Sequence, residues 1–198
     1  GDEMIDASGL LLCPPMVNAH THAAMTLFRG FGDDMPLTQW LRTKIWPAEA
    51  KLELEDVYWG TRLACLEMIQ SGTTRFFDMY WHGPEAARAV IDSGMRAVVS
   101  SVLIDEMDAA KGEGMRAAAL ESLDRLAEAG PRVVPALGPH AIYTVSPDSL
   151  RWIGEVGGER EIPIQIHLSE TESQVSECIA AHGKRPAVYL DSSASSAR

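Results

Sequence analysis

The sequence predicts an α/β chain built on a parallel sheet, and three observations predict it. Short apolar, β-branched runs alternate with helix-length amphipathic stretches. Most helical stretches stop at a glycine: Gly72, Gly94, Gly130 and Gly183 each stand just past one, in the position favoured beyond a helix end. Three of the apolar runs close on a histidine, His20-Thr21-His22, His140 and His167. Strands separated by single helices need right-handed crossovers, so they lie parallel.

The elements follow in order. Residues 16–22 read as the first strand, and 37–46 as a helical stretch closed by Pro47. A helix over 55–71 carries Val57, Thr61, Ala64, Cys65 and Met68 on one stripe. Residues 73–79 form a strand, 84–93 a helix and 96–103 a β-branched strand; 115–129 is helical and 132–137 a strand. Ser146-Pro147 is an N-cap and first-turn pair opening a helix to about Val156. Ile162–Leu168 reads as a fifth strand, and 171–182 as a helix. Five such units match the first five β/α units of a TIM-type (β/α)8 barrel, truncated before its sixth. Residues 1–9 read as a remnant of a preceding small β-domain, 10–191 as the partial barrel, and the Ser/Ala-rich 192–198 as a flexible tail.

Composition narrows the function. A formal charge of −11 argues against a nucleic-acid partner. Cys13, Cys65 and Cys178 are scattered and odd in number, which fits a reducing compartment better than a disulfide framework. With no apolar run long enough to cross a bilayer, the expected location is cytoplasmic.

In a strand, residues i and i+2 share a face, so His20 and His22 aim at one point. His167 ends another strand at the same end of the sheet, the face on which barrel enzymes gather their catalytic residues. Three neutral imidazoles leave a divalent ion its full charge, which lowers the pKa of bound water to about 7. One divalent metal is therefore expected, zinc foremost, with iron or nickel as alternatives. Glu170, three residues beyond His167, either exchanges protons with that water or caps the following helix. His140 reads as a fourth ligand, a substrate contact or a solvated loop residue.

These residues, with Val17-Asn18-Ala19-His20-Thr21-His22, Trp46-Pro47-Ala48-Glu49, Ser71-Gly72-Thr73-Thr74, Gly138-Pro139-His140 and His167-Leu168-Ser169-Glu170, resemble the amidohydrolase superfamily. The similarity is to its thioadenosine/adenosylhomocysteine deaminases and triazine-type chlorohydrolases. The resemblance implies that metal-bound hydroxide attacks a ring carbon of a purine nucleoside or related heterocycle, releasing ammonia. It makes Glu170 the proton shuttle, His140 a substrate contact and Glu49 the acid that holds ribose hydroxyls. The lysine that bridges two metals in binuclear members has no counterpart in 132–140, so one metal is expected. Ser101 falls where adenosylhomocysteine deaminases tend to carry an arginine, which favours a substrate without a carboxylate.

The resemblance also implies a sixth-strand histidine and an eighth-strand aspartate, and neither has a counterpart here. Two alternatives therefore stand beside the aminohydrolase: a chlorohydrolase acting on triazine-like rings, and a truncated, catalytically incompetent fragment. Open barrel edges would promote self-association. The expected partner is a small heterocyclic substrate, with no nucleic-acid polymer and no membrane.

Overall fold

The computed structural model describes residues 4–195. Four parallel strands run in sequence order: β1 (Met16–Thr21), β2 (Thr73–Asp78), β3 (Arg96–Leu103) and β4 (Val133–Pro139). Helices α3 (Leu54–Gln70), α4 (Gly83–Ser93), α5 (Ala109–Glu128) and α6 (Pro147–Glu159) follow the strands, and α7 (Glu172–His182) and α8 (Pro186–Ser195) complete the chain. Two short helices, α1 (Leu37–Trp40) and α2 (Trp46–Glu49), lie between β1 and α3. The fold is the α/β, TIM-type part-barrel expected.

Burial explains why the helices sit where they do. Phe76, Val99 and Ala97 of the strands pack against Cys65, Met68, Ala86 and Val90 of α3 and α4. A second cluster joins Leu103 and Leu137 to Leu123 of α5 and Ile153 of α6. Burying one such large side chain contributes about 1.5–3 kcal/mol. By contrast Met16 and Val17 on β1 are exposed, as are Val134 and Ile164. No helix among the described residues is long and apolar enough to cross a membrane.

Four expectations change. Residues 162–168 do not form a regular strand; they touch β4 through two parallel bridges, Leu137 with Ile164 and Ala141 with His167. Pro163 has no N–H to give to a ladder, so pairing is intermittent. Nevertheless Leu137 N donates to Pro163 O and His167 N to His140 O, which keeps the segment in the fifth-strand position. Second, α5 begins at Ala109 rather than near Met115, because the Asp108 side chain caps it by accepting from Lys111 N at 2.9 Å. The low helix propensity of Gly112 and Gly114 is overridden there.

Third, Pro47 does not close a helix. A π-helical turn, Leu41–Ile45, leads into α2, where the proline occupies a first-turn position that needs no N–H. Helical backbone thus continues to Glu49. Fourth, residues 192–195, expected in a flexible tail, belong to α8; the rest of that tail, 196–198, lies outside the described residues, as do 1–3.

Candidate metal centre

The end of β1 carries a register irregularity. Asn18 pairs with Phe76 and Thr21 with Asp78, so β1 holds one extra residue across that interval. Such a bulge re-aims the side chains beside it. His20 and His22 nonetheless stay together, with ring centroids 4.8 Å apart. His22 lies just past the strand, where a 3-10 turn, Ala23–Phe28, begins. The buried Asp78 carboxylate fixes that turn by accepting from Ala23 N at 2.7 Å. Burial pushes the Asp78 carboxyl up to about 7, even though backbone N–H groups of Ala23 and Met79 donate to it.

Candidate ligand atoms of His20, His22 and His167 all lie within 4.8 Å of one another. The other nitrogen of each ring is already engaged. His22 Nδ1 meets Met79 O at 2.5 Å and His167 Nδ1 meets His140 O at 3.0 Å. A carbonyl oxygen only accepts, so both Nδ1 atoms carry the proton. His20 Nδ1 meets Gln165 Oε1 at 2.8 Å, and the same carboxamide donates its Nε2 to Ala19 O at 2.8 Å. That second bond orients the amide, so His20 Nδ1 is also the protonated nitrogen. In its neutral form each of the three rings therefore presents a bare Nε2 lone pair.

This donor set fits a metal ion. His167 Nε2 and His22 Nε2 are 3.2 Å apart. Two nitrogens on one tetrahedral zinc, each at about 2.0–2.1 Å, are separated by about 3.3 Å. Burial, the largest influence, also holds His22 down at about 4, so at neutral pH its ring is the uncharged ligand form.

A small cavity of about 100 Å³ opens beside His22 and His167. Trp40, Leu41, Ile45 and Trp46 form its apolar wall, and His140, Glu49 and Glu170 supply polar groups. Glu49 ends α2 and its Oε2 accepts from Trp81 Nε1 at 3.2 Å. Burial raises the Glu49 carboxyl above its ordinary value, with Tyr80 and Trp81 opposing that shift. The Tyr80 hydroxyl is buried without a hydrogen-bond partner of standard geometry among the described residues. Even so, burial and the neighbouring Glu49 push the phenol strongly upward.

Glu170 is exposed at the cavity rim. Ser169, between it and His167, adopts φ 56°, in the left-handed region. The helix cap is taken by Thr171, whose hydroxyl accepts from Gln174 N at 3.2 Å. Glu170 is thus not the cap of α7. His140 is half-buried, and burial lowers it to about 4. Its ring centroid is 5.0 Å from that of His167, yet it stands outside the ligand group.

Sequence reasoning missed Gln165 and the carbonyls of Met79 and His140, the groups that hold the Nδ1 atoms of the three ligand rings. A backbone carbonyl leaves no trace in residue identity; Gln165 could have been found two positions before His167. Ser101 lines a neighbouring groove beside α4 and α5 rather than the cavity of the histidines.

Residues 11–195 match the model of the amidohydrolase family. The chain is 52% identical over 190 residues to the 5'-deoxyadenosine deaminase of Methanoregula boonei, covering 95% of this chain and 43% of that protein. It is 46% identical over 191 residues to the 5-methylthioadenosine/S-adenosylhomocysteine deaminase of Pelotomaculum thermopropionicum, covering 94% and 43%. A solved adenosine deaminase from Xanthomonas campestris, with bound zinc, superposes with a TM-score of 0.82 at 36% identity, covering 91% of this chain and 42% of that one. The chain spans less than half the length of these relatives.

Proposed function

Because the chain belongs to the amidohydrolase family, we propose that it carries the metal centre of an aminohydrolase that replaces the exocyclic amino group of a purine nucleoside, releasing ammonia. The observation that carries this reading is the convergence of three Nε2 lone pairs from His20, His22 and His167, each with its tautomer fixed from behind. Zinc is the ion favoured, from the all-imidazole donor set and from the zinc bound in the related adenosine deaminase. A divalent ion held there supplies Lewis acidity, which ionises water near neutral pH.

The chain's own residues divide the remaining work. Glu170, at the rim, takes a proton from the attacking water and returns it to a ring nitrogen of the substrate. Glu49, whose Oε2 accepts from Trp81, offers its carboxyl to a substrate hydroxyl. His140 contacts the heterocycle, and Trp40 and Trp46 exclude water from around it. No lysine or arginine lines the cavity among the described residues. Lys111, nearby, is paired with Glu106 at 2.7 Å, and Arg116 donates to Ser149 Oγ at 3.0 Å. A substrate with a small neutral 5' substituent suits such a wall better than one carrying a carboxylate.

Ammonia release from 5'-deoxyadenosine, methylthioadenosine and adenosylhomocysteine by the zinc-loaded protein in a full-length context, with the remaining barrel strands present, tests the proposal. Turnover of the first two in preference to the third is expected. Absence of turnover on every purine nucleoside overturns the aminohydrolase reading, and equal efficiency on all three overturns the specificity.

A further inference from the structure

The cavity beside His22 and His167 is small for a heterocycle. Its volume is about 100 Å³, whereas pockets that enclose small organic molecules run to about 300–1,000 Å³. Much of its apolar wall comes from one stretch, residues 35–49, which holds α1, the π-helical turn and α2 and contributes Trp40, Ile45 and Trp46. Next to it lies a larger hollow of about 560 Å³. Trp46, Glu49, Trp81 and Ile104 line both spaces, so they form the partition between them.

The stretch is tied to the rest of the fold by little that has direction. Ile45 is 1% exposed, but apolar contact is non-directional. Among the described residues no ion pair joins 35–49 to the sheet or its helices. Its hydrogen bonds stay between Phe31 and Leu52, as when Trp40 Nε1 donates to Phe31 O at 3.0 Å, with one exception. Trp81 Nε1 donates to Glu49 Oε2 at 3.2 Å. Trp81 stands on the firm side of that bond, packed with Ala24, Val57 and Tyr80. The Tyr80 hydroxyl adds no second bond of standard geometry. Just before the stretch, Gly30, Gly32 and Asp34 take left-handed backbone, with φ 72°, 89° and 59°. A few loop residues of this kind can absorb the rotation of a moving segment.

We infer that Trp81 is a positioning residue whose indole N–H, through Glu49, latches residues 35–49 over the metal cavity. Release of this bond joins the cavity to the neighbouring hollow. The bond lies on the partition, so breaking it frees the wall where the two spaces meet and makes room for a bicyclic heterocycle. Glu49 then has two tasks, receiving a hydroxyl of the guest and closing the wall behind it. The inference rests on the proposed function only for the identity of that guest.

Amide hydrogen exchange, read by mass spectrometry on the full-length protein as isolated, tests the latch. Trp81→Phe keeps an aromatic ring and removes the donor. Peptides covering 35–49 are expected to exchange about tenfold faster or more, as befits a lost hydrogen bond to a charged group. Peptides of β2, α3 and α4 should keep their rates. Glu49→Gln still offers an acceptor and should leave the wall protected. Glu49→Leu should reproduce Trp81→Phe, and the double variant Trp81→Phe/Glu49→Leu should exchange no faster than either. Unchanged exchange over 35–49 in Trp81→Phe, acceleration spread evenly over the protein, or an additive double variant overturns the inference. Should Trp81→Phe fail to fold, Glu49→Leu carries the test by the same criteria. Because no turnover is measured, failure of the aminohydrolase reading and failure of this one are separable.

Discussion

His22 and His167 place their Nε2 atoms 3.2 Å apart, and in the neutral form of both rings, with each Nδ1–H given to a backbone carbonyl, no proton joins them. Two opposed lone pairs repel, and a cation between them relieves the repulsion. Metal binding is therefore coupled to the stability of this face of the fold. Adding zinc to the metal-free chain should raise its melting temperature, by an amount equivalent to about 2.7 kcal/mol when free metal exceeds the dissociation constant a hundredfold. His22→Ala should lose both the shift and the bound metal by elemental analysis; retained occupancy would remove His22 from the ligand set.

Gln165 bridges His20 Nδ1 and Ala19 O, with both contacts at 2.8 Å. Partners behind metal-bound histidines typically contribute about 10–100-fold in metal affinity. Gln165→Leu should therefore weaken zinc binding by about that factor while leaving the far-ultraviolet circular dichroism unchanged. Competition with a chromophoric chelator measures it. An unaltered affinity would mean that His20 is oriented by the strand alone.

Glu170 is free of the helix cap because Thr171 performs that task. Glu170→Gln should keep metal and melting temperature, yet lower turnover in the active protein by about 10²–10⁴-fold. Thr171→Ala should do the reverse, costing about 0.5–2 kcal/mol of stability with the chemistry intact. Comparing the two variants by calorimetry and ammonia release separates the roles.

Gly60 lets α3 approach the turn that follows His22. A Cβ at Gly60 would lie 2.6 Å from Ala24 O and 3.0 Å from Ala24 Cα. Both are backbone atoms, so the turn itself must shift. Gly60→Ala should destabilise the chain by about 1–3 kcal/mol and weaken metal binding, because the displaced turn starts at His22. Chemical denaturation with and without zinc measures both effects.

Glu49 has a folded-state pKa raised above its ordinary value, chiefly by burial. The folded chain then holds a proton that the unfolded chain has released, so this group's contribution to stability falls as pH rises between the two values. Glu49→Gln, which still accepts from Trp81, removes that loss. The melting temperature of the variant minus that of the unmodified chain should increase as pH rises through the acidic range. A difference independent of pH would show that Glu49 is solvated.

The order of elements was legible because helical and extended segments impose different apolar periods. The stripe Val57, Thr61, Ala64, Cys65, Met68 is buried in α3 as its spacing predicts. Glycine obscured the first turn of α5, where Asp108 and close packing around Gly112 outweigh propensity. Pro47 misled because proline ends a helix or begins one depending on the backbone before it, here a π-helical turn. Pro163 in the fifth segment limits its pairing to isolated bridges, a detail set by hydrogen-bond register rather than by hydrophobicity.

From the sequence alone came the α/β class, the strand-end placement of His20, His22 and His140, and His167 with Glu170 in a fifth segment; Glu49 came only from the family resemblance. Those depend on residue type and spacing, which the chain carries in its own order. Only the tertiary structure decided which ring nitrogens are free, that Thr171 rather than Glu170 caps α7, and that His140 stands apart from the ligand group. Each depends on a partner distant in the chain or on a backbone carbonyl. The direction of a lone pair follows from where those groups come to rest, which no local pattern encodes.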